Sequence, residues 1–541
     1  MEYREGNDLL IYKGRGEVVK MNRTIIKNPV IRGFNPDPYI LKVDDVFYIA
    51  VSSFEWLPGV RVYQSKDLVN WEHETDIITD QLDLRGNPQN GSVWAPQLSY
   101  ADGLFHLVYT DVKSTKRPFK DTHNYLITSP SIHGPWSEPI YINSSGFDPS
   151  LFHDEDGRKW LLNQIWDYRM TTGNKSDGIV MQEYDPKQQK LVGEVYKITD
   201  GTELAKTEAP HIYRYNDYYY LITAEGGTGR DHAVTIFRSK EITGPYEVDP
   251  DYPMLTAKDK PDSPLQCSGH ASLIQTDEGN WYIAYLCTRP VEGKAAILGR
   301  ETAIQEVYWT EDSWLRLVGG GNTPSLETEI VTKEPVKQIK DTNFRDDFND
   351  KLKKEWNTLR ILADDTWCDL KQRPGYLRMI SGESVGSLFE HHILAIRQKD
   401  FHFIARTKVD YEPATFNQMA GLILYLNDEK YLYAYITYDE EHGRVLRMIR
   451  SDHNETVVLP DITPIKDGEV ELKVEVNEAT GQFYYRISED GNWQTLGSAH
   501  DVKFLSGGFT GNFVGIAVHD MDRVRGSYAD FNFFDYQGLD D

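Results

Sequence analysis

Five times within its first three hundred residues the chain repeats one pattern: an apolar strand, a turn, and a second apolar strand. The copies read NPDPYILKVDDVFYIAVSS from Asn35, WAPQLSYADGLFHLVYTD from Trp94 and FDPSLFHDEDGRKWLLNQ from Phe147. EAPHIYRYNDYYYLITAE from Glu208 and GHASLIQTDEGNWYIAYL from Gly269 complete the set. The anchor positions Asp37, Ala95, Asp148, Ala209 and His270 lie 58, 53, 61 and 61 residues apart. After each of the first four copies comes another strand, often closed by a Gly-Pro-aromatic turn, as in YLITSPSIHGPW. Each copy is therefore one small antiparallel sheet. One such sheet cannot bury both faces, whereas five stacked radially can, with only short protected edges. The spacing predicts a five-bladed β-propeller over residues 25–325; a sandwich with irregular hairpins is the competing architecture.

Residues 1–24 precede the repeat as a largely polar extension. Residues 326–343, poor in aromatics, read as a linker. From 344 to 541 the strands lengthen, as in MAGLILYLNDEKYLYAYITYDE, and no period near 60 recurs. That stretch predicts a β-sandwich of the concanavalin-like or jelly-roll type. The fold class is thus all-β, a five-bladed propeller followed by a β-sandwich.

A net charge of −26 argues against nucleic acid and acidic membrane surfaces as partners. The 33 Tyr, 12 Trp and 21 Phe suit strands, and they suit stacking sites for sugars equally well. Three scattered cysteines, Cys267, Cys287 and Cys368, make neither a disulfide framework nor a zinc site and fit a reducing compartment. The first residues carry no secretory signal pattern, and no run of 18 apolar residues occurs. A cytoplasmic protein is the expectation, and sequons such as that at Asn90 are expected to be chance matches.

In a propeller the innermost strands of all blades start at one end of a central channel, so residues at equivalent starts converge. Three of those starts carry acids: Asp37 in NPDP, Asp148 in FDPS and Glu208 in TEAPH. One Asp-Pro could be no more than a turn or strand-entry cap. Three acids at matched positions would instead repel one another and raise at least one pKa. Glycosidic hydrolysis needs such a set: an acid for the leaving group and a base or nucleophile on the opposite face of the sugar.

Taken together, GFNPDP, SSFEW, SVWAPQL, GFDPSLF, TEAPHIY, GHASLIQT and LGRETA resemble the family 43 glycoside hydrolases, specifically the two-domain β-xylosidases. The resemblance runs from about Lys27 to the end of the chain. It implies inversion at the anomeric centre, with Asp37 as general base, Glu208 as general acid and Asp148 as the group that orients the acid and tunes its pKa. It also implies substrate contacts from Arg300, an aromatic wall of Trp94 and Phe54, His270 packed near the base, and a second-domain loop around Phe509 closing one side. From the residues alone, Arg300 could equally be an ion-pair partner, and Trp94 and Phe54 ordinary blade core. An inverting pair should stand ~6.5–9.5 Å apart to admit a water.

The implied activity is exo-acting β-1,4-xylosidase on xylobiose and short xylo-oligosaccharides. An α-L-arabinofuranosidase, or an enzyme with both activities, is the nearest alternative. A non-catalytic carbohydrate-binding propeller is the alternative of another class, and it should have lost a channel acid. No organic cofactor is expected. Some relatives hold a divalent cation such as Ca²⁺ near the channel histidine, and relatives form homo-oligomers.

Overall fold

The computed structural model describes residues 2–5, 8–13, 17–453, 455–487 and 491–540, with side chains described from Met21 onward. Among the described residues every helix or strand longer than an isolated bridge is a strand. Five four-stranded antiparallel sheets match the five sequence copies. Their innermost strands are Tyr39–Val43, Ser92–Ala101, Ser150–His153, Glu208–Tyr215 and Gln266–Gln275. These five strands touch in cyclic order, and the fifth returns to the first. The fourth sheet carries one further short strand, Leu255–Thr256.

Polar bonds stitch each seam of this ring. The Ala95 N–H donates to Ser52 Oγ at 2.7 Å, and the Leu151 N–H to Gln97 Oε1 at 3.1 Å. Ser150 Oγ donates to the Pro210 carbonyl at 2.5 Å, and the Leu273 N–H to Tyr213 Oη at 2.9 Å. Ser272 Oγ closes the ring: it accepts from the Ile40 N–H at 2.9 Å and donates to the Pro38 carbonyl at 2.8 Å. The apolar core is correspondingly divided into wedges between neighbouring blades, one holding Leu98, Leu107 and Val62, another Ile236, Leu273 and Tyr285.

The anchor positions share one backbone state. φ is 56° at Asp37, 39° at Ala95, 54° at Asp148, 52° at Ala209 and 52° at His270. None is glycine, and a left-handed conformation costs an L-residue roughly 1–2 kcal/mol. The same strain recurs at the mouth of every inner strand, and strained backbone tends to cluster at functional sites.

The stretch 326–343 is not wholly a linker. It begins with the strand Glu327–Thr332, which pairs with Glu17–Lys27. Two further strands, Asp8–Lys13 and Glu2–Glu5, extend that sheet, so the polar extension joins the body of the fold. The cause is an apolar residue set inside polar sequence: Ile26 and Ile330 are buried against the first and fifth blades.

The second domain is two packed antiparallel sheets. Its strand Gln418–Asn427 shows why the sequence there is almost continuously apolar. Leu422 and Leu424 enter the sandwich core, while Ile423 and Tyr425 point the other way, into a cluster shared with the propeller. There Trp56 stacks on Phe513 with centroids 3.7 Å apart, and the short strand Thr358–Leu359 pairs with Trp56–Leu57. The sandwich is thereby fixed beside the mouth of the channel.

Candidate active site

A cavity of about 440 Å³ opens at the end of the channel where the inner strands begin, and Asp37, Asp148, Glu208, Arg300, His270, Trp94, Phe54 and Phe509 all line it. The repeat explains which residue each blade offers. In the first, third and fifth blades the left-handed anchor itself lines the cavity, as Asp37, Asp148 and His270. In the second and fourth blades the anchor is alanine, and the residue before it, Trp94 or Glu208, takes that place.

Asp37 is 5% exposed and closely held. Ser52 Oγ donates to its Oδ2 at 2.6 Å, with the hydroxyl itself oriented by the Ala95 N–H. Arg300 forks onto both oxygens, at 2.6 and 3.4 Å, and His270 Nδ1 stands 3.5 Å from Oδ1. Burial alone would push this carboxyl up. Arg300, His270, the Ser52 hydroxyl and His232 together outweigh it and hold Asp37 below the usual carboxylate range. His270 is itself pushed down by burial, which favours its neutral form.

Glu208 lies under opposite influences. Burial, the leading cause, and the charge of Asp37 push it up to about 7, against the pull of Lys120, Arg300 and Lys206. Asp148 is also pushed well above the usual range, first by burial and then by Glu208 and Asp37. Its Oδ2 accepts from the N–H of Ala209, the residue after Glu208, at 3.1 Å. Glu208 and Asp148 therefore titrate as one pair. The resemblance gave Asp148 the part of a charge that lifts the acid; burial is the larger influence on both.

Local sequence fixes the two acids. A Cβ at Gly146, two residues before Asp148, would sit 1.8 Å from the Gln164 carbonyl oxygen, so only glycine lets FDPS approach the neighbouring strand. The turn into Glu208 is braced by buried Glu225, which accepts from Thr207 Oγ1 at 2.8 Å and the Thr202 N–H at 2.7 Å.

The aromatic wall is assembled from both domains. Phe54 and Trp94 lie 5.9 Å apart, and Phe509 of the sandwich packs edge-on to Trp94 at 5.5 Å. Asn90 ties these elements together. Its Oδ1 accepts from the Phe509 N–H at 2.7 Å and its carbonyl from Trp94 Nε1 at 3.0 Å. Arg300 Nε donates to the Phe509 carbonyl at 3.1 Å. With three of its five N–H groups so engaged, Arg300 is an ion-pair partner of Asp37 that keeps one hydrogen on each terminal nitrogen.

Sequence reading missed Lys120, Phe147 and Trp166, which line the same cavity. Lys120 Nζ stands 4.9, 4.2 and 4.1 Å from the ring centroids of Trp94, Phe147 and Trp166. Burial lowers it to about 8, against the pull of Glu208 and Asp148. Phe147 was within reach through its FDPS motif; a single loop lysine in RPFKD carried no signal.

No three His, Cys, Asp or Glu side chains gather into a metal site among the described residues. His270 lines the cavity with its Nδ1 turned to Asp37.

Comparison with known proteins agrees with this geometry. The model of "Glycosyl hydrolases family 43" matches residues 26–315, and that of the "Beta xylosidase C-terminal Concanavalin A-like domain" matches residues 345–537. A β-xylosidase of Bacillus subtilis (strain 168) is 44% identical, over 95% of this chain and 99% of its own. A xylosidase/arabinosidase of Humicola insolens is 41% identical, over 95% and 97%. The crystal structure of a xylan β-1,4-xylosidase from Bacillus halodurans C-125 superposes with a TM-score of 0.92 at 46% identity, covering 95% of this chain and all of that one. With a propeller of this form, three acids in one channel-end cavity and matches across both domains, the chain belongs to glycosyl hydrolase family 43.

Proposed function

We propose that the protein is an exo-acting, inverting β-1,4-xylosidase that releases xylose from xylobiose and short xylo-oligosaccharides. The observation that carries this reading is the opposed protonation of two carboxyls in one cavity. Asp37 is held ionised by Arg300, and Glu208 is held protonated up to about 7. In the reaction, Asp37 takes a proton from water as the water oxygen bonds to the anomeric carbon. Glu208 gives its proton to the glycosidic oxygen as that bond breaks. Lys120 and Asp148 face the Glu208 carboxyl and set how readily it yields the proton. Phe54, Trp94 and Phe509 offer apolar faces to a pyranose, and Phe509 supports exo action by walling one side of the cavity.

The β-1,4 linkage is supported by the Bacillus halodurans enzyme, and a second activity on α-L-arabinofuranosides by the Humicola insolens relative. The test compares kcat/KM on p-nitrophenyl β-xyloside and p-nitrophenyl α-L-arabinofuranoside. The xyloside is expected to be the better substrate. A larger value on the arabinofuranoside would make the protein an arabinofuranosidase, and no turnover of either would favour a carbohydrate-binding role.

A further inference from the structure

The cavity carries more positive charge than its acids require. Besides the three acids and Arg300 it is lined by Arg117, Lys120, Lys175 and Lys206, and by no further carboxylate. This concentration of cations occurs in a chain of net charge −26. Arg300 pairs with Asp37, and Lys120 bears on Glu208 and Asp148. Arg117, Lys175 and Lys206 remain. Lys175 Nζ donates to the Met170 carbonyl and Lys206 Nζ to the Gly226 carbonyl at 3.3 Å. Among the described residues none of the three has a carboxylate within ion-pair distance, although Lys206 bears on Glu208 and Lys175 on Asp167 from further away, whereas neighbouring cations are directly paired: Arg169 with Asp167 at 2.8 Å and Lys197 with Asp177 at 3.0 Å.

The cations are also placed on one side. Lys120 and Lys206 bear on Glu208, whereas Asp37 is paired with Arg300. Arg117 and Lys120 share one loop, Lys175 precedes the third strand of the third blade, and Lys206 stands two residues before Glu208. Arg117 acts on Lys120, and Ser176, next to Lys175, donates to the carbonyl of Thr207, next to Glu208, at 3.0 Å, so the positive rim lies on the acid's side, where the leaving sugar must sit. A neutral xylose there offers these cations no countercharge at contact distance, whereas a carboxylate does.

From this placement, and resting on the xylosidase reading above, we infer that the leaving-group side of the cavity recognises a carboxylate-bearing sugar, so that acidic xylo-oligosaccharides are preferred substrates. An oxidised, aldonate end and a uronate branch on the leaving xylose present the same chemistry.

The test measures kcat/KM on xylobiose, on xylobionate against xylobionamide, and on xylobiose bearing a glucuronate branch on its reducing sugar against the same compound with a glucose branch. Each pair differs by a charge at nearly constant size. At about 0.01 M salt at least one carboxylate substrate should exceed its neutral partner about tenfold, and the ratio should fall toward one at about 1 M, where the screening length shrinks from ~30 to ~3 Å. Which pair shows the ratio identifies the source of the carboxylate. In R117Q/K175Q, with folding checked by circular dichroism, that ratio should drop at low salt. Equal or slower turnover of both carboxylate substrates by the unaltered enzyme would overturn the inference, as would a preference that survives both salt and the double substitution. If xylobiose itself were not cleaved while aryl xylosides were, the leaving-side reading would fall and the glycosidase reading would stand; no turnover of any xyloside would remove both.

Discussion

Replacing Asp37 with asparagine is expected to lower kcat by about 10³–10⁴-fold, by similar factors on xylobiose and on an activated aryl xyloside. Water activation is needed whatever the leaving group, so a better leaving group does not rescue the loss. The substitution is nearly isosteric. Its amide oxygen can still accept from Arg300 Nη1, the partner now at 2.6 Å, and the Ser52 hydroxyl can turn to accept from the new amide. It does leave the Arg300 charge unpaired in a buried place, which is destabilising. A thermal melt alongside the kinetics separates the two effects: a folded but inactive variant supports the base, and a variant that retains wild-type kcat would remove Asp37 from the chemistry.

Glu208→Gln should behave differently. With no proton to give, the variant should lose about 10²–10⁴-fold on xylobiose, whose leaving group departs as a sugar alcohol, and far less on a dinitrophenyl xyloside. Its pH profile carries a second signature. In the wild-type enzyme Glu208 must keep its proton, so kcat/KM should fall as pH rises through about 7, the value to which burial and Asp37 lift the acid. The limb belongs to the Glu208–Asp148 pair rather than to one residue. On the acidic side activity should persist to low pH, because Asp37 is held below the usual carboxylate range. On the activated substrate Glu208→Gln should lose the basic limb and keep the acidic one. Equal losses on both substrates would sink the acid assignment.

The parts of this site that could be read from sequence are those the repeat carries. Asp37, Asp148 and His270 sit at equivalent anchors, and the left-handed φ common to all five anchors is the physical basis of the recurring motif. Trp94 and Glu208 are one position earlier, and their motifs still point to them. Lys120 was illegible because its meaning arises from three rings brought together by two blades. Whether Arg300 binds sugar or Asp37 was equally beyond reach, since LGRETA does not say which carboxylate its fork will meet. The strand Glu327–Thr332 hid within a polar stretch because its pairing partner lies three hundred residues earlier. In the sandwich the continuous apolar run of Gln418–Asn427 follows from burial on both faces, one of them against the propeller.

The central claim is a single displacement in which Asp37 delivers water to the face opposite Glu208. Proton NMR of the first sugar released from xylobiose tests it most directly, recorded before the anomers equilibrate. The account predicts α-xylose as the initial product. Initial β-xylose would require a covalent intermediate, with the two carboxyls ~5 Å apart, and would contradict it.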